Sequence, residues 1–136
     1  MGLDIGDKRI GVALSDPQGI LASPFTIIER RDEAADVAAI TGIIDQNQVN
    51  RVIVGLPLSM DGGLGQQAKK IEDFAQKLRH QTKAPVEFRD ERLTTVWAKY
   101  LRRDAGIKKT RTKVRYDAAA AALILQGYLD EGRGVG

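Results

Sequence analysis

The sequence predicts an α/β fold built on a mixed five-stranded sheet, three antiparallel strands followed by two parallel ones, flanked by helices. Three observations predict it. Residues 3–28 alternate short β-rich runs with turn residues. Farther along, apolar residues switch twice from strand-like runs to helical spacing. Between them, Arg51 to Gly55 is a continuous β-branched run of the kind buried in a parallel sheet.

Leu3 to Ile5, Arg9 to Ser15 and Ile20 to Ile28 read as strands, separated by Gly6-Asp7-Lys8 and Asp16-Pro17-Gln18-Gly19, whose turn chemistry suits hairpins. Asp32 is placed to cap a helix whose apolar positions Val37, Ile40, Ile43 and Ile44 recur at helical spacing, with Asn47 to Asn50 as a polar stop. The Arg51 strand ends at Gly55-Leu56-Pro57, and a flexible glycine-rich rim runs from Gly55 to Gly65. Ala68, Ile71, Phe74, Ala75 and Leu78 mark an amphipathic helix, and Pro85 to Arg89 a further strand. Thr94 or Thr95 starts a helix turning Val96, Trp97, Tyr100 and Leu101 inward and ending at Gly106. Ile107 to Lys113 lacks apolar periodicity and reads as a mobile loop, and Val114 to Leu129 as the final helix. This order outlines a ribonuclease H-like fold.

A chain of 136 residues, 43% hydrophobic, fits one compact domain spanning 1–136. No linker or internal repeat divides it. Without cysteine it holds no disulfide framework, thiolate nucleophile or cysteine-based zinc site, which suits a reducing compartment, so the expected location is cytoplasmic. Neither a membrane span of about 18 or more apolar residues nor a signal-peptide pattern is present, and no membrane partner is expected. Met1 runs almost directly into the first strand, and so short a lead-in is expected to weaken it. The net charge of +3 is unevenly spread: residues 99–115 hold eight basic side chains against Asp104, a local +7 that leaves −4 elsewhere. Concentrated positive charge of this kind suits a phosphate backbone.

Three carboxylates stand out. Asp4 lies in Gly2-Leu3-Asp4-Ile5-Gly6, Glu91 in Asp90-Glu91-Arg92-Leu93-Thr94-Thr95, and Asp117 opens the alanine run of residues 118–122. Each falls at the meeting of an element with a loop or first helical turn, among apolar or small neighbours, where an ionised carboxylate is costly unless paired or bound to a cation. Together they read as a metal site. Carboxylates are the hard ligands that Mg²⁺ prefers, and divalent ions can activate water and stabilise both the leaving oxygen and the transition-state charge in phosphodiester hydrolysis. Lys8, Arg9 and Arg92 flank the acids and either bind substrate phosphates or steady the carboxylates. The basic stretch Lys108, Lys109, Arg111, Lys113 and Arg115 is assigned to nucleic-acid backbone contacts.

The block Gly2-Leu3-Asp4-Ile5-Gly6-Asp7-Lys8-Arg9-Ile10-Gly11-Val12-Ala13 resembles the opening of the YqgF family of pre-16S rRNA nucleases, also described as Holliday junction resolvase-like. Val54-Gly55-Leu56-Pro57 with Asp61-Gly62, Asp90 to Thr95, and Asp117 to Ala120 with Ile124-Leu125 resemble its later blocks, in order, over residues 2 to 130. The resemblance implies a metal-dependent nuclease, with Mg²⁺ or Mn²⁺ as cofactor and Asp4, Glu91 and Asp117 as catalytic metal ligands. It favours precursor rRNA as the nucleic-acid partner, in 5′-end maturation of 16S rRNA, with branched DNA as the alternative. One departure is notable. More distant resolvases of this fold carry an acid near the end of the fourth strand, where this chain has Gly55-Leu56-Pro57 and brings its acid later, at Glu91.

Blander roles compete for the same residues. Asp4 suits a turn, Glu91 a surface pair with Arg89 or Arg92, and Asp117 a favourable charge near a helix N-terminus. Trp97 and Tyr100 suit a core, and His80 is assigned nothing. Gly62-Gly63-Leu64-Gly65 lacks the lysine-serine pair of a phosphate loop. Other functions compete too: an actin-like or sugar-kinase-like ATPase lobe, for which one lobe is too few; a Holliday junction resolvase; and a non-catalytic nucleic-acid-binding module. A symmetric junction requires two active sites and hence a dimer, but monomer and homodimer both fit, as no exposed apolar stripe marks an interface.

Overall fold

The structure, a computed structural model, describes residues 1–56, 65–90 and 109–134, with positions 109–117 and 132–134 described by backbone alone. Five strands, β1 (Gly2–Ile5), β2 (Arg9–Ser15), β3 (Ala22–Glu29), β4 (Val52–Leu56) and β5 (Val86–Asp90), form one sheet in the order β3-β2-β1-β4-β5. β2 is antiparallel to both β1 and β3, while β1–β4 and β4–β5 are parallel. Three antiparallel strands and then two parallel ones is the arrangement the sequence predicts.

Alternation along β1 divides the molecule into two layers. Leu3 and Ile5 face α1 (Glu33–Gln46) and α2 (Gln66–Gln81), whose Val37, Ile40, Ile44, Ala68, Ile71, Phe74 and Leu78 complete the larger core. Gly2 and Asp4 face the opposite side, where α3 (Lys109–Gly134) packs Ala121, Ala122, Ile124 and Leu125 against Ala13 of β2 and Ile53 of β4. Small residues permit close approach: a Cβ on Gly2 would stand 2.6 Å from the Ala121 carbonyl oxygen and 2.8 Å from Leu125 Cβ.

The helix cap predicted at Asp32 is present, its carboxylate accepting the Ala35 N–H at 2.8 Å. In the β2–β3 turn, Asp16 Oδ1 accepts the N–H groups of Ile20 and Leu21, and Gly19 takes a φ of 71°. The residue before β1 is itself anchored. The Met1 amino group donates to the Arg51 carbonyl at 3.0 Å, the Met1 carbonyl accepts the Ile53 N–H at 2.8 Å, and the Met1 side chain is buried.

Three expectations need correction. Lys109 to Lys113 is helical rather than loop: α3 begins at Lys109, not Val114, and extends to Gly134. Apolar periodicity marks only the part of a helix that packs on a core, whereas lysine and arginine sustain a helical turn by backbone propensity alone. Gly55 and Leu56 belong to β4 and are buried, so Gly55 is no part of a flexible rim. Finally, the third strand begins at Ala22 rather than Ile20: Ile20 and Leu21 lie in the turn before it, their N–H groups held by Asp16. The helix expected from Thr94 or Thr95, with Trp97 and Tyr100, lies outside the described residues.

Candidate functional site

Asp4 stands near the C-terminal end of the central strand and is half-buried. Its partner across β2 is Gly11, and the β1–β4 register, carried on one residue from Leu3 opposite Val54, sets it beside Gly55. The carboxylate is thus flanked on both neighbouring strands by residues without side chains. Strand geometry fixes its direction toward the α3 face more tightly than a loop would.

The sense of α3 follows from the residues it meets. Leu129 lies near Gly19, the Gln126 side chain accepts the Ala22 N–H at 2.8 Å, and Leu125, Tyr128 and Leu129 line a cleft with Met1, Asn50 and Arg51, where β1 and β4 begin. α3 therefore runs antiparallel to β1. Position 117 lies one helical turn before Ala121, itself against Gly2, so the helix backbone leads back from Gly2 toward the end of β1 where Asp4 stands. Glu91 lies outside the described residues. It directly follows Asp90, the end of β5, which pairs with Leu56 at the end of β4. Among the described residues no three metal-binding side chains cluster, and Asp4 is the member of the acidic set whose side chain is described. Its hard oxygen donors, on the sheet's central strand, fit a divalent cation such as Mg²⁺.

The flanking cations divide. Lys8 is exposed in the β1–β2 turn. Arg9 is engaged by Glu29 across β2–β3, Nε to Oε1 at 3.1 Å. Arg92 and Lys108 lie outside the described residues, while Lys109, Arg111, Lys113 and Arg115 occupy the opening turns of α3. Arg89 pairs with Glu131 of α3 at 2.6 Å. Sequence reasoning missed Gly11 and Gly55 as neighbours of Asp4, although both stand within the motif blocks. It also missed the pair Arg30–Asp36 at the mouth of the β1–β2 turn, since Asp36 shows in sequence only as a polar residue early in α1.

A five-stranded sheet with β2 alone antiparallel, helices on both faces and an aspartate on the central strand defines the ribonuclease H-like class. Two solved structures of Thermus thermophilus RuvC share this fold. One aligns with a TM-score of 0.60 over 98% of this chain and 95% of that one. The other, in complex with a Holliday junction substrate, aligns with a TM-score of 0.61 over 98% and 94%, and each is 15% identical in sequence.

The chain belongs to the RuvX family, whose model, described as Holliday junction resolvase, matches residues 1–131. A protein of Moorella thermoacetica named "Putative pre-16S rRNA nuclease" is 48% identical over 130 residues, covering 96% of this chain and 93% of that one. A protein of the same name from a Synechococcus strain is 47% identical over 133 residues, covering 98% and 89%.

Proposed function

We propose that this chain is a single-domain, metal-dependent nuclease that hydrolyses phosphodiester bonds in the cytoplasm, acting in 5′-end maturation of the 16S rRNA precursor. The observation that carries the reading is Asp4: a half-buried carboxylate on the central strand, between two glycines, facing the helix that bears Asp117. The names of the relatives support an rRNA substrate, and the RuvC complex shows a protein of this fold engaging branched DNA.

In this reading Asp4, Glu91 and Asp117 hold Mg²⁺ or Mn²⁺, which supplies Lewis acidity and an activated water at neutral pH. The chain's own residues do the rest. Asp4 is rigidly oriented by its strand. Lys8, exposed three residues beyond Ile5, together with Arg9 and Arg92, is assigned to a substrate phosphate, and the partly exposed pair of Arg9 with Glu29 is weak enough to yield to one. Lys108, Lys109, Arg111, Lys113 and Arg115 bind the backbone. Four of these lie at the opening of a helix with no acid in its first turn, an arrangement that opposes the helix dipole and is relieved by a polyanion.

The test is a side-by-side cleavage assay at fixed salt on a precursor-rRNA fragment, a plain duplex and a four-way junction, with Mg²⁺ or Mn²⁺. Cleavage of the rRNA fragment, lost in Asp4→Asn with binding retained, is the expected outcome. Preference for the junction would reassign the substrate to branched DNA and require a dimer. Binding without cleavage of any substrate would leave a nucleic-acid-binding module.

A further inference from the structure

Asp36 is the one buried charged side chain among the described residues, 1% exposed in the first turn of α1. Both its oxygens are satisfied: Oδ2 accepts Arg30 Nε at 2.8 Å and Oδ1 accepts the Arg31 N–H at 3.0 Å. Arg30 is 24% exposed, and an ion pair of this kind is in itself weak evidence of stability, which leaves room for a use beyond it. Its direction indicates one. Arg30 lies over the Phe74 ring, 5.1 Å from the centroid, and from there Nη1 donates to the Gly6 carbonyl at 2.8 Å, while the Arg30 N–H donates to the Lys8 carbonyl at 2.9 Å.

Those two carbonyls belong to the turn between β1 and β2. It is closed from within by the Gly6 N–H donating to the Arg9 carbonyl at 2.8 Å. Gly6 is two residues after Asp4, and the intervening Ile5 is locked in the core. Ahead of Asp4, Gly2 is pressed against α3; behind it, Arg30 holds the chain. We propose that Arg30, oriented by Asp36, is a positioning residue that fixes the Gly6–Lys8 turn and thereby aims the Asp4 carboxylate, a role resting on the nuclease reading above. Planarity matters here. A guanidinium spans Asp36 and the Gly6 carbonyl at once, whereas a lysine ammonium, a single point of charge, reaches one of them.

The test compares wild type, Arg30→Lys, Arg30→Met and, as a control, Arg51→Met, which removes the bonds to Glu87 and Tyr128 at the opposite end of the sheet. Mn²⁺ binding to the full chain, without nucleic acid, is titrated by electron paramagnetic resonance, and kcat and KM are measured on the substrate that wild type cleaves, well below each variant's Tm. Both Arg30 variants are expected to weaken Mn²⁺ binding and lower kcat by about 10-fold or more, the scale typical of residues that orient metal ligands, with KM little changed. Arg51→Met is expected to change neither, even where its Tm falls. Should Arg30→Met not fold, Arg30→Lys carries the comparison. Wild-type Mn²⁺ affinity and kcat in a folded Arg30 variant would overturn the clamp while leaving the nuclease reading intact. A wild-type chain that neither binds Mn²⁺ nor cleaves would instead overturn that reading, and the clamp with it.

Discussion

Replacing Asp4 by asparagine preserves the shape of a side chain held by a central strand while removing the charge that would bind a cation. The loss in cleavage rate is expected to exceed the roughly 10- to 100-fold typical for partners of a ligand, because here the ligand itself is altered. A filter-binding assay in parallel separates impaired chemistry from impaired binding. Equal cleavage by the variant would point to a contaminating nuclease. A second residue carries a pH signature. Burial lowers the pKa of the Met1 amino group from its ordinary 8.0 to about 6. The folded state therefore binds fewer protons than the unfolded state between those values, and stability rises as pH increases from 6 to 8. The effect is on the order of 2 kcal/mol. Urea unfolding across that window should show the slope when the Met1 amino group is free and lose this contribution when it is acetylated.

Between elements, the critical packing is β1 against α3. Gly2→Ala would drive a Cβ into the Ala121 carbonyl and Leu125, atoms of a packed helix with little freedom to yield. A cost of about 1–3 kcal/mol is expected, as for other overpacked sites. Thermal unfolding measures it, and cleavage should fall as well, since α3 bears Asp117. At the N-terminal end of α3, changing Lys109, Arg111, Lys113 and Arg115 together to glutamine should weaken binding of all substrates alike. It should also reduce the slope of log affinity against log salt by up to roughly 0.7–0.9 for each phosphate that is no longer neutralised. A titration from low to moderate salt reads both. Sequence legibility divides along the same elements. α1 is legible to its cap because Asp32 and the apolar spacing of Val37, Ile40 and Ile44 agree. The start of α3 is not, because its first turns are basic and present no apolar stripe.

For the whole molecule, the sheet topology can be read from the chain because turn residues punctuate β1 to β3 and a β-branched run marks β4, signals local in sequence. What cannot be read locally is the proximity of residues far apart. That Gly11 and Gly55 flank Asp4 depends on pairing with two different strands, and that Asp36 is buried depends on Arg30 turning back over Phe74. The acidic set itself is recognised through its motif blocks and the family they resemble. Its convergence across β1, the segment after β5 and α3 is the central claim. The most direct measurement is the anomalous scattering of Mn²⁺ in crystals of the full chain. Density is expected at roughly 2.0–2.3 Å from carboxylate oxygens, in the range of hard divalent-ion ligation, shared by Asp4, Glu91 and Asp117. Ordered crystals soaked in Mn²⁺ that show no ion at Asp4, or an Asp4 carboxylate too far from the other two to share one, would contradict it.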